Sequence, residues 1–458
     1  MIPDLSHPRR VHVVGAGGAG MGAIATVLHR MGHRVTGSDL KPGPVSERLL
    51  ADGVPVAIGH DAANVGDAEM IAISTAIPDH NPEVRHARDL GLEVLRRSDI
   101  LPAISAERRT IAVAGTHGKT TTSSMLSLVL VEAGMQPSFI IGGDVNEIGS
   151  GAVWDDGEWF VIEADESDKT FLSLGAEIAL VTNVEPDHLE TYGNDPAALE
   201  EAFDEFAGAA PIRVVCADDE GSAALAAGLD GAITYGTAAT ADYRMVDVEG
   251  GRSSIAFTLE HGGEALGRVE VPTAGMHNGR NAAAAAVTAL AIGAPFDAAQ
   301  RALGRFGGVA RRFEFRGEAG GVTFIDDYAH LPSEVAAMID AVGDGGWNRV
   351  ICVFQPHRYS RTAALWQDFS DAFEGVDTLV LTDIYAAGET PRPGVSGKLL
   401  VDAVLDAHPF TDVAYMPRLD DVANWLVGRL RPGDLCLTLG AGDLTGIPDP
   451  VIERLRAA

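Results

Sequence analysis

A glycine-rich segment near residue 115 carries the side chains best suited to phosphate chemistry. In order, its residues are Gly115, Thr116, His117, Gly118, Lys119, Thr120 and Thr121. Val113 stands where the strict Walker pattern has its first glycine, but two glycines, a lysine and a hydroxyl remain. At the start of a helix, backbone N–H groups bind phosphate oxygens, the lysine neutralises the β- and γ-phosphates, and the Thr120 hydroxyl can bind Mg²⁺. The segment therefore predicts a nucleoside triphosphate site.

Two acidic clusters follow apolar runs that have the character of buried strands. The first spans residues 163–168, and the second is Glu185-Pro186-Asp187-His188. Carboxylates at the ends of parallel strands, beside a phosphate loop, are where α/β sheets place their metal ligands. A charge run taken alone is more often a solvated loop, but the position behind the phosphate loop favours a metal site.

A second glycine-rich turn lies close to the N-terminus and fits the pattern G-x-G-x-x-G. Its residues are Gly15, Ala16, Gly17, Gly18, Ala19 and Gly20. Asp39 follows at the end of another short strand. Such glycines let the backbone approach a pyrophosphate, and the acid accepts a ribose hydroxyl. NAD and a UDP-sugar both offer these groups, so the turn alone does not separate the two ligands, and a turn without a ligand is the third interpretation.

Strand–turn–helix patterns position these residues and recur along the chain. Apolar strands are predicted at residues 10–14, 110–114, 159–162, 177–182, 322–325, 349–354, 378–382 and 434–438. Helices are predicted after the two glycine turns, over 21–31 and up to about Glu132. Strands that alternate with helices form the βαβ units of parallel sheets, which predicts an α/β protein. Residues 238–271 alternate polar and apolar side chains and predict an antiparallel insertion at a sheet edge, while 105–109 and 304–312 are predicted linkers.

The composition narrows the class of protein. A length of 458 residues corresponds to roughly three domains at about 150 residues each. The net charge of −31 argues against nucleic acid as the partner, because phosphate backbones bind basic surfaces. No apolar stretch reaches the ~20 residues that span a bilayer, and no apolar leader region follows the N-terminus. These features predict a cytoplasmic protein without membrane insertion, with Cys216, Cys352 and Cys436 as reduced thiols in core strands.

Taken together, the motifs resemble those of the Mur ligase family, over essentially residues 10–445. The matches to its ATP-binding middle domain are residues 115–122, 163–168, 183–188 and 277–281. The matches to its branch that joins L-alanine to UDP-N-acetylmuramate are His12 with residues 15–21, then 326–330, 355–362 and 383–389. The resemblance implies three α/β domains. These are a Rossmann-like N-terminal domain for the UDP-substrate (1–108), a central P-loop-type ATPase with a mostly parallel sheet (109–310), and a Rossmann-like C-terminal domain for the amino acid that closes on ATP (311–458).

The resemblance also implies a role for individual residues in an ATP- and Mg²⁺-dependent ligase. Lys119 would hold the γ-phosphate, Thr120 and Glu163 would bind one Mg²⁺, and His188 would approach a second. The further contacts to ATP would come from His277, Asn278, Asn281, Arg312, Asp327 and Tyr328, and His330, also from the third domain, would be a catalytic residue. The UDP-N-acetylmuramate site would comprise Gly17, Gly18, Ala19, Gly20, Asp39, His60 and Ser74. The muramyl carboxylate and the incoming L-alanine would face His357, Arg358 and Arg361.

The sequence departs from the family pattern at two places. Leu331 stands where the family usually has a second histidine, and residues 187–213 contain no lysine, although several related ligases carry a carbamylated lysine there.

The nearest alternative function is that of a murein-recycling ligase, which attaches a whole tripeptide to the same nucleotide. The run 163–168 followed by Thr170-Phe171 favours the alanine-adding branch. An NAD-dependent oxidoreductase would use the first glycine turn but give residues 115–122 no role.

Overall fold

The computed structural model describes residues 3–74, 76–251, 253–309, 311–343 and 345–457. Within these residues the strands form three sheets, of five, ten and six strands. The chain divides into two compact units. One comprises Met1–Val248, Ala256–Val271 and His277–Gly307, and the other Glu249–Ile255, Pro272–Met276 and Gly308–Ala458.

The five-stranded sheet contains the first glycine turn. Its strands are β1 (Arg10–Val14), β2 (Arg34–Asp39), β3 (Val56–Ile58), β4 (Met70–Ile73) and β5 (Glu93–Arg96). Its helices are α1 (Ala19–Arg30), α2 (Pro44–Ala51), α3 (Pro82–Asp89) and α4 (Arg97–Ser105). The order is β3-β2-β1-β4-β5, and all neighbours are parallel. The strand order reverses at β1, so the turn after β1 lies at the switch point where parallel α/β sheets bind ligands.

The ten-stranded sheet contains the second glycine segment. Its strands are β6 (Arg109–Ala114), β7 (Ser138–Val145), β8 (Ser150–Val153), β9 (Trp159–Glu163), β10 (Ile178–Val181), β11 (Ile212–Cys216), β12 (Ile233–Gly236), β13 (Tyr243–Gly250), β14 (Ile255–His261) and β15 (Glu264–Val271). Its helices are α5 (Lys119–Glu132), α6 (Pro196–Ala209), α7 (Glu220–Gly228), α8 (Met276–Ala291) and α9 (Phe296–Gly304). β6 pairs in parallel with β9 on one side and β10 on the other. The carboxyl ends of these three strands therefore meet beside the glycine segment.

The six-stranded sheet belongs to the second compact unit. Its strands are β16 (Glu314–Ala319), β17 (Val322–Asp327), β18 (Arg349–Phe354), β19 (Thr378–Leu381), β20 (Val413–Tyr415) and β21 (Asp434–Leu439). Its helices are α10 (Pro332–Gly343), α11 (Tyr359–Leu365), α12 (Lys398–Ala407), α13 (Leu419–Arg429) and α14 (Pro448–Ala457). The order is β16-β17-β21-β18-β19-β20, antiparallel at β16–β17 and parallel elsewhere.

The structure confirms the predicted α/β class and the predicted apolar strands. The helix after the first glycine turn begins at Ala19 rather than at residue 21, because Gly18 is its N-cap. The segment 238–271 lies at a sheet edge as predicted, and it joins the sheet through a parallel pair between β12 and β13. The predicted linker 304–312 includes Ala310, which lies outside the described residues.

The cysteines agree with the prediction of reduced thiols in core strands. Cys216, Cys352 and Cys436 are free and buried, each within a strand. In the described part of the chain, no helix has both the length and the apolar character needed to cross a membrane.

Candidate active site

The loop between β6 and α5 is held in place by the segment that follows β10. The Thr182 hydroxyl donates to the His117 carbonyl at 2.6 Å. Asn183 binds His117 twice, accepting from its N–H at 2.8 Å and donating to its carbonyl at 3.0 Å. The Thr116 hydroxyl donates to the Glu185 carbonyl at 3.1 Å. These bonds fix the loop in one conformation, which a binding site for phosphate oxygens requires.

Two glycines of this loop occupy positions that only glycine fits. Gly115 has φ +132°, and a Cβ there would lie 2.1 Å from the Thr182 hydroxyl oxygen. Gly118, the N-cap of α5, has φ +83°, and a Cβ there would lie 2.6 Å from Oδ1 of Asn281. Residues with side chains rarely adopt these φ values. The loop therefore passes close against both the β10 segment and helix α8.

Lys119 at the start of α5 is paired with a buried carboxylate. Its Nζ donates to the Gly115 carbonyl at 2.6 Å and lies 2.8 and 3.0 Å from the two carboxylate oxygens of Glu166. The Glu166 side chain is only 3% exposed. Burial raises the pKa of Glu166, and the charge of Lys119 opposes this shift. Glu166 thus holds the lysine ammonium group against the loop.

Thr120 and Glu163, the two proposed ligands of the first Mg²⁺, lie side by side. The Thr120 hydroxyl donates to Oε2 of Glu163 at 3.1 Å, and Oε1 accepts from the Gly142 N–H at 2.6 Å. No group of three or more His, Cys, Asp and Glu side chains in the described residues is arranged to hold a metal. A hydroxyl and one carboxylate nevertheless fit Mg²⁺, which takes few protein ligands and completes its shell with phosphate oxygens and water.

His188, proposed for a second Mg²⁺, lies in the turn after β10 and has φ +52°. Its ring nitrogens lie 3.6 Å from Asp187 and 3.8 Å from Glu190. These carboxylates give the turn an acidic character. The positive φ is uncommon for a residue with a side chain, and such strain is often found at functional sites.

The first two turns of helix α8 contain three of the residues proposed to contact ATP, His277, Asn278 and Asn281. Asn278 and Asn281 are buried, and Asn281 lies against Gly118. Burial, together with the charge of Arg280, lowers the pKa of His277 to about 4, so the imidazole is neutral near pH 7. Nε of Arg280 donates to the buried Asp218 at 2.7 Å, which anchors the helix to the loop after β11.

The first glycine turn is supported by the ends of the neighbouring strands. The Ser38 carbonyl accepts from the N–H groups of Gly15 at 2.8 Å and Ala16 at 3.0 Å. Oδ2 of Asp39 accepts from the Gly17 N–H at 2.9 Å. A Cβ on Gly15 would lie 3.4 Å from Cβ of Ser74. The structure thus brings together the turn, Asp39 and Ser74 as proposed substrate-binding residues, with Gly18 preceding α1 and Ala19 and Gly20 in its first turn.

A buried glutamate, which the sequence did not indicate, lies behind this turn. Glu83 on α3 is fully buried and accepts from the Ser38 hydroxyl at 2.7 Å and from the Asn64 amide at 2.6 Å. Nδ1 of His60 lies 3.1 Å from the same carboxylate. Burial alone would raise the pKa of Glu83, but the nearby His12, whose Nε2 lies 3.9 Å from the carboxylate, and hydrogen bonds from Asn64 and Ser38 lower it from 4.5 to about 2. His60 is therefore part of a buried network rather than a free surface histidine.

This network predicts a pH dependence of stability. The pKa of Glu83 falls from 4.5 to about 2 on folding, so its contribution is present above pH 4.5 and lost as the pH falls towards 2. The shift corresponds to about 3 kcal/mol. We expect hydrogen exchange of the β1 amides to show a free energy of opening that declines more steeply between pH 5 and pH 2 in the wild type than in Glu83→Gln. The same decline in both proteins would contradict the proposed ionisation of Glu83.

In the second compact unit, Asp327, Arg312 and Tyr328 form one cluster. Asp327 accepts from the N–H groups of Phe313 at 2.6 Å and Ala329 at 2.7 Å. Burial raises its pKa to about 6, although the charge of Arg312 acts in the opposite direction. The Arg312 guanidinium lies over the Tyr328 ring, 4.9 Å from its centre. Asp327 thus shapes the backbone that presents the arginine and the aromatic ring.

A second cluster of this unit contains two histidines and two arginines. The rings of His330 and His357 are 5.6 Å apart, and His357 also stacks on Tyr385 at 5.7 Å. Arg361 Nη1 lies 3.1 Å from Nδ1 of His357. Burial, with the nearby charges of His330, Arg361 and Arg358, lowers the pKa of His357 to about 4. Because the arginine can only donate, the neutral His357 carries its proton on Nε2.

Three family models match the chain. They are "Mur ligase family, catalytic domain" over residues 10–109, "Mur ligase middle domain" over 113–289, and "Mur ligase, glutamate ligase domain" over 311–442. The chain belongs to the Mur ligase family. The three-domain α/β architecture predicted from the sequence is confirmed, while the boundaries at 108/109 and 310/311 stay predictions.

Relatives of this Mur ligase are similar to it over almost their whole length. A UDP-N-acetylmuramate–L-alanine ligase of Pelotomaculum thermopropionicum is 43% identical over 98% of both chains. One from Rubrobacter xylanophilus is 44% identical over 97% of this chain and 100% of the relative. The solved UDP-N-acetylmuramate–alanine ligase of Thermotoga maritima is 26% identical, with a TM-score of 0.84 over 98% of this chain and 99% of that one. A murein peptide ligase of Psychrobacter arcticus, 23% identical with a TM-score of 0.69 over 98% of this chain and 99% of that one, shares the fold.

Within this Mur ligase, the sequence analysis did not assign Glu83 and Thr182, which each hold a proposed site residue in place from a distant part of the chain. It placed Glu166 in the acidic run predicted to bind metal, whereas the structure pairs Glu166 with Lys119. Leu331, which replaces the second histidine usual in the family, is buried.

Proposed function

We propose that this Mur ligase joins L-alanine to the lactyl carboxylate of UDP-N-acetylmuramate at the expense of ATP, as a step in peptidoglycan precursor synthesis. The observation that carries the proposal is the phosphate loop, where Lys119, Thr120 and Glu163 converge at the N-terminus of α5. Relatives with this activity, similar over nearly the whole chain, support the choice of substrates.

The first chemical step is transfer of the γ-phosphate of ATP to the muramyl carboxylate, which gives an acyl phosphate and ADP. Two anions must meet, and at about 4 Å two unit charges repel by about 4 kcal/mol at an effective dielectric constant of 20. The ammonium of Lys119 and the N–H groups at the start of α5 offset this repulsion. They also stabilise the charge that moves between the oxygens during transfer.

Mg²⁺ fits the pair formed by the Thr120 hydroxyl and the Glu163 carboxylate. When bound there, the ion would neutralise phosphate charge and orient the oxygens of the γ-phosphate. The Gly142 N–H that binds Glu163 fixes the carboxylate in position. His188 and the acidic turn around it are the proposed approach to a second ion.

The second step is attack of the alanine amine on the acyl phosphate, with release of phosphate. His357, Arg358 and Arg361 are the proposed binding groups for the carboxylates of the substrates. Arg361 holds His357 with its proton on Nε2, so this ring donates a hydrogen bond rather than accepting a proton. Arg358 has φ +68°, and its N–H donates to the Tyr385 carbonyl at 2.8 Å. This strain at the N-cap of α11 is consistent with a functional position.

Arg361→Ala is expected to weaken the binding of L-alanine. Loss of a charged donor and of the bond that orients His357 should raise the KM for L-alanine about tenfold or more, with little change in the KM for ATP. Initial-rate kinetics with each substrate varied in turn measure this. Arg418→Ala is the matched control, because the Arg418 side chain is 75% exposed and its ion pair is with the exposed Asp420. A KM for L-alanine equal to that of the wild type would contradict the assignment.

Nucleotide binding separates the proposed function from an oxidoreductase. We expect isothermal titration to show binding of UDP-N-acetylmuramate at micromolar concentration and no binding of NAD or NADP. The glycine turn and Asp39 suit the diphosphate of either UDP-N-acetylmuramate or NAD. Only a ligase, however, uses the phosphoryl-transfer residues Lys119, Thr120 and Glu163. Saturable NAD binding that UDP-N-acetylmuramate fails to displace would overturn the assignment of the first domain.

Location in the cytoplasm is part of the proposal. Three free, buried thiols suit a reducing compartment, and ATP is available there as a substrate.

A further inference from the structure

The network around Glu83 links the first glycine turn to His60. Ser38 uses its carbonyl to hold the N–H groups of Gly15 and Ala16, and its hydroxyl donates to Glu83. The Gly59 N–H, one residue before His60, donates to the Asp39 carbonyl at 2.8 Å. Through its contacts with Ser38 and His60, the carboxylate is therefore connected to the two segments that carry Asp39 and support the turn. A fully buried carboxylate with this many partners fixes the positions of its neighbours.

The ionised carboxylate also determines which nitrogen of His60 carries a proton. Because a carboxylate only accepts hydrogen bonds, each neighbour within bonding distance must donate to it. Nδ1 of His60 lies 3.1 Å from Oε2 of Glu83, so the proton is on Nδ1. In the neutral ring Nε2 is then an acceptor. The His60 side chain is 12% exposed, and no bond from Nε2 to another described residue is found, which leaves this atom for a ligand.

We propose that Glu83 is a positioning residue for the nucleotide: it holds His60 with Nε2 as an acceptor for a donor group of the UDP moiety. UDP offers two kinds of donor, the N3–H of uracil and the ribose hydroxyls, and its diphosphate offers none when ionised. His60 therefore binds the uridine part of the nucleotide, while the glycine turn binds the diphosphate. This inference rests on the proposed UDP-sugar substrate.

Substitution of Glu83 by glutamine tests the inference, because the amide has the same shape and can donate to Nδ1. The proton of His60 then moves to Nε2, and the acceptor for the ligand is lost. We expect the Kd for UDP, measured by isothermal titration, to rise about tenfold. Glu93→Gln is the matched control, since it removes the same charge from an exposed position in the same sheet. An equal Kd in Glu83→Gln and the wild type overturns the proposal.

The tautomer of His60 is measured directly by nitrogen-15 NMR of histidine-labelled protein, with His60→Gln used to assign the signal. The wild type should carry the proton on Nδ1 both without and with UDP, and a proton on Nε2 in the wild type overturns the proposal. This measurement requires no substitution at Glu83, so it holds even if Glu83→Gln folds poorly.

Two analogues identify the donor group. Affinity for 3-methyl-UDP tests uracil N3–H, and affinity for 2′-deoxy-UDP tests the ribose hydroxyl. The analogue that lacks the relevant donor should bind the wild type about tenfold more weakly than UDP, with no further loss in Glu83→Gln. Equal losses for both analogues in the two proteins overturn the proposal. Failure of the wild type to bind UDP at all would instead overturn the proposed function.

Discussion

Lys119→Met is expected to abolish ligation while leaving UDP-N-acetylmuramate bound. Lys119 is the first residue of α5, which follows a strand of the ten-stranded sheet, whereas the turn proposed for the UDP-substrate follows a strand of the five-stranded sheet, so the two functions are separable. Removal of one preorganised charge contact of this kind costs about 3 kcal/mol or more, which is roughly a hundredfold or greater in rate. Phosphate release measured with saturating substrates checks the loss of ligation. Titration with UDP-N-acetylmuramate checks that the variant still binds this substrate.

Loss of the Lys119 charge also leaves Glu166 buried without its partner, and removing one member of a buried pair can destabilise a protein by about 3–5 kcal/mol. The double variant Lys119→Met/Glu166→Gln separates this effect from catalysis, because the neutral amide needs no counter-charge. It should restore thermal stability without restoring turnover. Lys398→Met, which removes an exposed lysine of the second unit, is the control for charge alone. Turnover equal to the wild type in Lys119→Met would show that the loop is not the phosphate site.

Glu163→Gln is expected to raise the Mg²⁺ concentration required for half-maximal activity at least tenfold. The amide oxygen can still accept from the Gly142 N–H, so the local geometry is kept while the negative charge at the proposed ion site is lost. Activity measured against Mg²⁺ at fixed ATP gives the midpoint. Glu205→Gln on the exposed face of α6 is the matched control.

His188→Ala should shift the same Mg²⁺ midpoint if its turn approaches a second ion. A loss of activity with an unchanged midpoint in both Glu163→Gln and His188→Ala would mean that neither residue binds the metal. A shift in Glu163→Gln alone would restrict the proposal to a single ion at Thr120 and Glu163.

The glycine turns and their strands were predictable because each is determined by residues that are close together in the sequence. The pattern around Gly115 and Lys119 combines a strand, a turn and a helix within about twenty residues, so local periodicity is sufficient. The start of α1 was placed two residues late, since alanine and glycine after Gly18 carry no periodic apolar signal.

The partners of the supporting carboxylates were not predictable because they are remote in sequence. Glu83 lies 45 residues from Ser38, and Glu166 lies 47 residues from Lys119. Asn81 and Pro82 do mark the start of α3, since asparagine caps its N-terminus and proline occupies the first turn. Nothing in that signal shows which side of the helix faces the sheet. Only the packing of α3 brings Glu83 to the end of β2.

The most direct test of the central claim is a ligation assay with the purified chain, ATP, Mg²⁺ and UDP-N-acetylmuramate. Release of ADP over many turnovers should require an amino acid, and L-alanine should give a product whose mass equals that of the two substrates joined with loss of water. L-alanyl-γ-D-glutamyl-meso-diaminopimelate in place of L-alanine should give little product. Efficient use of that tripeptide with no reaction of L-alanine would contradict the account and assign the chain to the peptide-recycling activity instead.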